Sequence, residues 1–230
     1  MTGIFVSTAI IVIIMTLACW YSAIMRNAEG TMEEMMGAGP EESVPKLEQA
    51  RVLEELGVRI VPEERKRELL IAFGYSDNEY LASHPYFGFL IMAGSRGILD
   101  CVYSTGDWEC ICQSDSYGKI LEKLKQISGL PIEAIEGRDR YQVSFRLYGN
   151  SYLWKARKNR DFMDCGLGGY VNRILDRQKD GEKKRFFLDS THDAPIFLFA
   201  EDTMVWKLNF RTGLRFHMAR ACHEREGRIL

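Results

Sequence analysis

One short segment holds the residue types that acid-base chemistry uses. Asp189, His192 and Asp193 fall within a single turn-rich stretch. A carboxylate beside an imidazole can set the tautomer and the basicity of the ring, so a hydrolase-like enzyme is one hypothesis. Asp, Ser and Thr are also typical of hairpin turns, because their side chains bond the nearby backbone. We therefore predict a structural turn here and keep catalysis as the alternative.

The cysteines and histidines offer a second possible chemistry. Cys110 and Cys112 would share one face of a strand, and Cys101 could lie opposite them. Zinc needs four tetrahedral ligands, and no pair of histidines has the spacing of ligands on a helix. Buried apolar thiols are the commoner role. We predict neither a metal site nor a cofactor.

A basic cluster beside aromatic residues indicates a binding role. This signal is clearer than the signal for catalysis in the Asp-His turn or for a metal site at the cysteines. Such a cluster can attract an acidic partner, and aromatic side chains are enriched at protein interfaces. Solvated loop charges and core aromatics are the alternative. The predicted binding residues are Tyr152, Trp154, Lys155, Arg157, Lys158 and Arg160.

The composition limits the class of protein. The chain has 230 residues, is 46% hydrophobic and carries 30 Lys or Arg against 32 Asp or Glu. This balance excludes a basic nucleic-acid binder, since neutralising phosphates requires a cationic surplus. Six cysteines are too few for a disulfide scaffold of this length.

The first 25 residues carry no charged side chain, and Gly3 to Met25 is a run of 23 mainly apolar residues. A helix of that length would reach about 34 Å, enough to cross a hydrocarbon core of about 30 Å. We predict a transmembrane anchor over residues 1–26, contacting lipid through residues 3–25. A cleaved signal peptide and a lipoprotein with lipidated Cys19 are alternatives.

The side of the membrane is predicted from two features of the sequence. Arg26, Lys46 and Arg51 follow the apolar run, whereas only two residues precede it, which favours a cytoplasmic C-terminal domain in a single-pass protein of the cell membrane. Five cysteines beyond the anchor are an odd number, which suits reduced thiols. They are Cys101, Cys110, Cys112, Cys165 and Cys222.

The region after the anchor is acidic. Residues 27–80 hold 13 Asp or Glu and 6 Lys or Arg. We predict a flexible acidic linker over 27–44, and then a globular domain over 45–230. That domain would consist of a helical lead-in over 45–84, a sheet with helices over 85–217 and a basic tail over 218–230.

Periodicity and turn residues predict the elements of the domain. Helices are expected from Pro45 to Leu56, from Pro62, after Ser76, over 117–127, over 162–177 and over 201–210. Strands are expected over 87–93, 98–103, 108–113, 141–147, 152–156, 185–189, 195–199 and 214–217. Short turns require antiparallel neighbours. We predict an α+β fold, an antiparallel sheet of hairpins with helices packed on one face.

Several short motifs occur in a suggestive order. They are Tyr148-Gly149-Asn150-Ser151-Tyr152, Asp161-Phe162-Met163-Asp164, Val171-Asn172-Arg173-Ile174-Leu175, Arg185-Phe186-Phe187-Leu188-Asp189 and Thr212-Gly213-Leu214. Residues 141–216, a third of the chain, resemble small bacterial α+β proteins of uncharacterised or toxin-immunity type. The resemblance implies a non-catalytic protein that blocks a cognate toxin by binding it, and it carries over no site residues.

We therefore predict a membrane-anchored, non-catalytic module whose partner is another protein, such as a toxin, and not nucleic acid. Two alternatives remain from the residues alone. One is the hydrolase-like enzyme, and the other is a membrane-associated sensor or assembly subunit that uses the anchor as its functional contact.

Overall fold

The computed structural model describes residues 46–61, 83–105, 115–157, 163–178, 182–190 and 194–220. They belong to one compact unit within residues 44–230. The predicted anchor over 1–26, the linker over 27–44, the helices from Pro62 and after Ser76 and the strand over 108–113 lie outside the described residues. No helix among the described residues is long and apolar enough to cross a membrane.

Five helices occur within these ranges. Four of them confirm predictions from apolar periodicity, with ends that differ by a few residues. The helices are α1 (Lys46–Glu55), α2 (Pro85–Ser95), α3 (Ser116–Ser128), α4 (Gly166–Leu175) and α5 (Asp202–Thr212).

Helix α2 corrects the strand that we predicted over 87–93. An apolar run without alternation is compatible with a buried helix and with a buried strand. The spacing of its apolar residues therefore could not distinguish the two. Pro85 lies in the first turn, where its missing N–H costs nothing. Near the other end, a Cβ on Gly94 would lie only 3.0 Å from the backbone nitrogen of Ser104. The glycine thus lets α2 approach a neighbouring strand closely.

Three strands form a small antiparallel sheet in the order β2-β3-β4. They are β2 (Ile132–Asp139), β3 (Gln142–Leu147) and β4 (Asn150–Lys155). The β3-β4 hairpin confirms the prediction, with Val143 opposite Trp154 and Phe145 opposite Tyr152. Strand β2 was not predicted, because most of its side chains are exposed and two register shifts interrupt its alternation.

The hairpin turn is one residue earlier than the predicted Gly149-Asn150. Leu147 pairs with Asn150, so Tyr148 and Gly149 are the two loop residues. Both have positive φ, 51° and 77°, as a type I′ turn requires. This turn matches the right-handed twist of the strands, although it places a tyrosine in the left-handed region.

A four-stranded antiparallel sheet has the order β1-β6-β5-β7. Its strands are β1 (Val102–Ser104), β5 (Arg185–Asp189), β6 (Ile196–Ala200) and β7 (His217–Met218). The β5-β6 hairpin was predicted and is confirmed, with Phe187 opposite Leu198. The fold continues to Ala219, whose backbone N–H bonds the Phe186 carbonyl and which is buried, two residues past the expected end at 217.

Helices cover both faces of this sheet, so the prediction of helices on one face is wrong. Along β6, Ile196 and Leu198 join a core with α1, α2 and α5, whereas Phe197 and Phe199 join a core with α3, α4 and the three-stranded sheet. A strand buried on both faces reads as a continuous apolar run, as Ile196–Ala200 does. The described residues therefore form three layers with the four-stranded sheet in the middle.

Candidate interaction surfaces

The predicted basic cluster begins at the end of β4, which is an edge strand in the described part of the small sheet. Lys155 and Arg157 are exposed there. Lys158 and Arg160, the other predicted cations, lie outside the described residues. The structure therefore places two of the four predicted cations together on the surface.

Trp154 belongs to the core, which corrects its assignment as a binding residue. Its side chain is 1% exposed, and its ring meets the ring of Tyr117 edge-on with centroids 4.6 Å apart. Alternation along β4 explains this, since Trp154 faces inward where Lys155 faces outward. A buried indole is not available to a surface partner.

Tyr152 is partly buried and lies between the core and the surface. Its ring centroid is 5.7 Å from that of Phe145 and 6.4 Å from that of Tyr170. The Tyr170 hydroxyl donates to the Leu153 carbonyl at 3.4 Å. In a two-residue hairpin closed at Leu147 and Asn150, the Leu153 carbonyl points away from β3. Tyr170 thus satisfies one group of the open strand edge.

Asp164 fixes the backbone at the end of β4, where the exposed cations lie. Its side-chain oxygens accept the backbone N–H of Arg157 at 3.0 Å and that of Gly166 at 2.9 Å. The backbone N–H of Asp164 donates to the Tyr117 hydroxyl at 2.7 Å. One buried carboxylate therefore joins the end of β4 to the start of α4, and its role is structural.

Asp189, the described member of the alternative catalytic turn, also has a structural role. It is 1% exposed, and one carboxylate oxygen accepts the backbone N–H of Arg215 at 2.8 Å. This bond joins the end of β5 to the segment before β7. His192 and Asp193 lie outside the described residues.

The described cysteines are partly buried thiols. Burial raises the pKa of Cys101 well above its ordinary value, and the neighbouring Asp100 raises the pKa further. A thiol of this kind is a poor nucleophile, because the thiolate is the reactive form. Among the described residues, no three His, Cys, Asp or Glu side chains are placed to hold a metal ion. Cys110 and Cys112 lie outside them.

Helix α5 presents an aromatic pair that the sequence reasoning missed. Trp206 and Phe210 are 66% and 76% exposed, and their rings stack with centroids 5.6 Å apart and planes 8° apart. Val205 and Leu208 are buried on the opposite side of the helix. The sequence alone could not single out this pair, because Val205 with Leu208 and Trp206 with Phe210 are both apolar pairs that could supply the core face of the helix.

Charged contacts tie α5 to α1. Arg211 of α5 bonds Glu55 of α1 at 3.2 Å, and Arg51 forms ion pairs with both Glu55 and Glu48. The hydrogen bond from Arg51 lowers the pKa of Glu48. All four side chains are largely exposed, so each pair adds little stability. The contact between Arg211 and Glu55 does show that α1 and α5 are neighbours in one layer.

The resemblance of residues 141–216 to toxin-immunity proteins stays a prediction. No protein-family model, curated protein or solved structure matches the chain.

Proposed function

We propose that this chain is a membrane-anchored, non-catalytic module that binds another protein through the exposed end of β4. The apolar run over 3–25 supplies the anchor in this proposal, and the domain after it supplies the binding surface. The observation that carries the proposal is the exposure of Lys155 and Arg157 at the end of an edge strand. The partner surface would accordingly be acidic.

The rigidity of this surface supports a binding role. Asp164 accepts the backbone N–H of Arg157. The buried ring of Trp154 fixes β4 next to Lys155. A binding surface on a fixed strand loses little conformational entropy when the partner arrives. Asp189, the described member of the alternative catalytic turn, accepts a backbone N–H group instead.

Immunity to a bacterial toxin is the more specific form of the proposal. An immunity protein needs only a stable, charged and complementary surface, with no reactive group. Electrostatic complementarity of this kind raises the association rate and rejects wrong partners. A bacterial cell membrane and a cytoplasmic domain are part of this form of the proposal.

The test uses epitope-tagged full-length chain expressed in its own cells. We expect it to stay with membranes after carbonate washing and, when isolated in mild detergent, to bring one protein partner with it in constant ratio. The double charge reversal Lys155→Glu with Arg157→Glu should lower partner recovery about tenfold, equivalent to about 1.4 kcal/mol. The Arg157 backbone bond to Asp164 survives this change, since it does not use the side chain.

A matched control reverses two cations on α3, Lys123→Glu with Lys125→Glu, which changes the net charge equally. This control should leave partner recovery unchanged. Equal loss in both double variants would contradict a localised β4 surface, and release of the chain by carbonate would contradict the anchor.

A further inference from the structure

We infer that the aromatic pair Trp206 and Phe210 rests in the headgroup layer of a lipid bilayer, so that the domain lies on the membrane with the α5 side down. This inference rests on the proposed membrane anchor. It concerns a different surface from the end of β4 and a different class of partner.

The pair has the properties of an interfacial contact. Both rings point away from the core that Val205 and Leu208 join. With 66% and 76% exposure, they present roughly 300 Å² of aromatic surface, since such side chains offer about 150–250 Å² each. The largest exposed apolar patch on a typical monomer measures about 300–600 Å² and often has a function. Indole rings in particular favour the interface between lipid and water.

The position at which the chain enters the described fold favours lipid as the occupant. The chain reaches the described fold at Lys46 of α1, after 45 residues that include the uncharged run. Helix α1 joins the same core as α5, and Glu55 bonds Arg211 at 3.2 Å. Lys46, the first described residue, therefore belongs to a helix of the layer that bears the aromatic pair.

Tethering makes a small contact sufficient. Residues 27–45 can span at most about 65 Å when fully extended, so a domain anchored at residue 26 stays within that distance of the bilayer. A tether of this length gives an effective concentration in the millimolar range. One aromatic pair would bind a membrane only marginally from solution, but two signals together give stable attachment.

The charges around the pair indicate a hydrophobic contact. Asp202, Lys207 and Arg211 lie on the same helix and have mixed signs, and Arg211 is paired with Glu55. Residues 27–80 are acidic and would repel anionic lipid. We therefore expect the contact on zwitterionic vesicles, with little dependence on salt.

A membrane contact through α5 would orient the proposed binding surface. Helices α1 and α5 join the core on one face of the four-stranded sheet, and β4 joins the core on the other face. A domain lying on α5 would turn the end of β4 away from the bilayer. Lys155 and Arg157 would then face a soluble partner.

The test reconstitutes the full chain in phosphatidylcholine vesicles, with and without lipids brominated near the headgroup end of the acyl chain. The Trp206 emission is the difference between the wild-type chain and the Trp206→Phe variant, and the Trp20 emission is obtained from Trp20→Phe in the same way. We expect brominated lipid to reduce the Trp206 emission by about half, because a headgroup-level indole lies close to the bromines. The reduction should persist at about 1 M salt, where the Debye length is about 3 Å.

The two tryptophans separate failure of the inference from failure of the anchor. Quenching of Trp20 with unquenched, water-exposed Trp206 would overturn the α5 contact and leave the anchor intact. Quenching of neither, with chain that does not float with the vesicles, would overturn both. Quenching of Trp206 that vanishes in salt would overturn the hydrophobic basis of the contact.

Discussion

The carboxylate of Asp189 is buried at the end of β5, and its bond to the Arg215 N–H accounts for an acidic residue at that position. A buried polar group left without its partner costs about 1–3 kcal/mol. Asp189 thus acts at the scale of a single residue, by satisfying a backbone amide between two strands.

We expect Asp189→Ala to lower the free energy of unfolding by about 1–3 kcal/mol, because the Arg215 N–H loses its acceptor. Urea titration followed by circular dichroism measures this change. Asp189→Asn retains an acceptor oxygen and should cost less. An alanine variant as stable as the wild type would contradict the structural role.

Cys101 gives a prediction with a defined pH dependence. Burial raises the pKa of its thiol, so at pH 8 the thiolate fraction is smaller than that of an ordinary cysteine. Iodoacetamide should label Cys101 slowly at pH 8, and the rate should keep rising above pH 9. Mass spectrometry of the peptide containing residue 101 follows this rate, with free cysteine as the standard. Labelling of the native chain as fast as that standard at pH 8 would contradict the buried thiol.

At the scale of the element, two asparagine side chains take the place of missing strand partners. Asn172 of α4 accepts the Phe186 N–H at 2.8 Å and donates to the carbonyls of Phe186 and Ala219. Asn209 of α5 accepts the Phe216 N–H at 3.0 Å and donates to its carbonyl at 2.8 Å. Asn172 therefore fastens α4 to β5 and to the residue after β7, and Asn209 fastens α5 to the residue before β7.

We expect Asn172→Leu to be strongly destabilising, by about 2–4 kcal/mol, since it leaves more than one buried backbone group without a partner. Asn209→Leu should cost less, because that site is only partly buried. Chemical denaturation of both variants gives the comparison. The opposite order of stabilities would contradict the assignment of the Asn172 clamp.

The hairpin turn offers a stabilising substitution. Tyr148 holds φ at 51° with its side chain 39% exposed, so it bears conformational strain for little packing. Asparagine tolerates the left-handed region better, and Tyr148→Asn should raise the free energy of unfolding by about 0.5–1 kcal/mol. Ser151→Asn, on the exposed strand after the turn, is the control and should gain nothing. A loss of stability in Tyr148→Asn would contradict the type I′ geometry.

Local sequence signals predicted some elements and not others for physical reasons. The β3-β4 hairpin was predictable because one face is buried, which imposes alternation, and because glycine permits the tight turn. Strand β2 is mostly exposed and bulged, so its sequence carries no alternation. The apolar run of α2 is compatible with helix or strand, and only tertiary packing decides between them.

Some residues of the candidate sites were also predictable from the sequence, and others were not. Lys155 and Arg157 were predictable as exposed because charges avoid the core. The burial of Trp154 was predictable from alternation, because the predicted and the observed turn both place it on the face of the buried Val143 and Phe145. Trp206 and Phe210 stand out only when the buried face of α5 is known.

At the scale of the whole molecule, a central sheet separates a layer of α1, α2 and α5 from a layer of α3, α4 and the three-stranded sheet. The proposed membrane contact belongs to the first layer and the proposed protein contact to the second. The account therefore assigns different partners to the two sides of one small domain.

A photo-crosslinking amino acid placed at position 206 or at position 155 of the full chain, in intact cells, tests this account most directly. The account predicts that position 206 crosslinks to lipid and position 155 to a protein, and that Arg157→Glu removes the protein adduct only. A protein adduct at position 206 with no protein adduct at position 155 would contradict it.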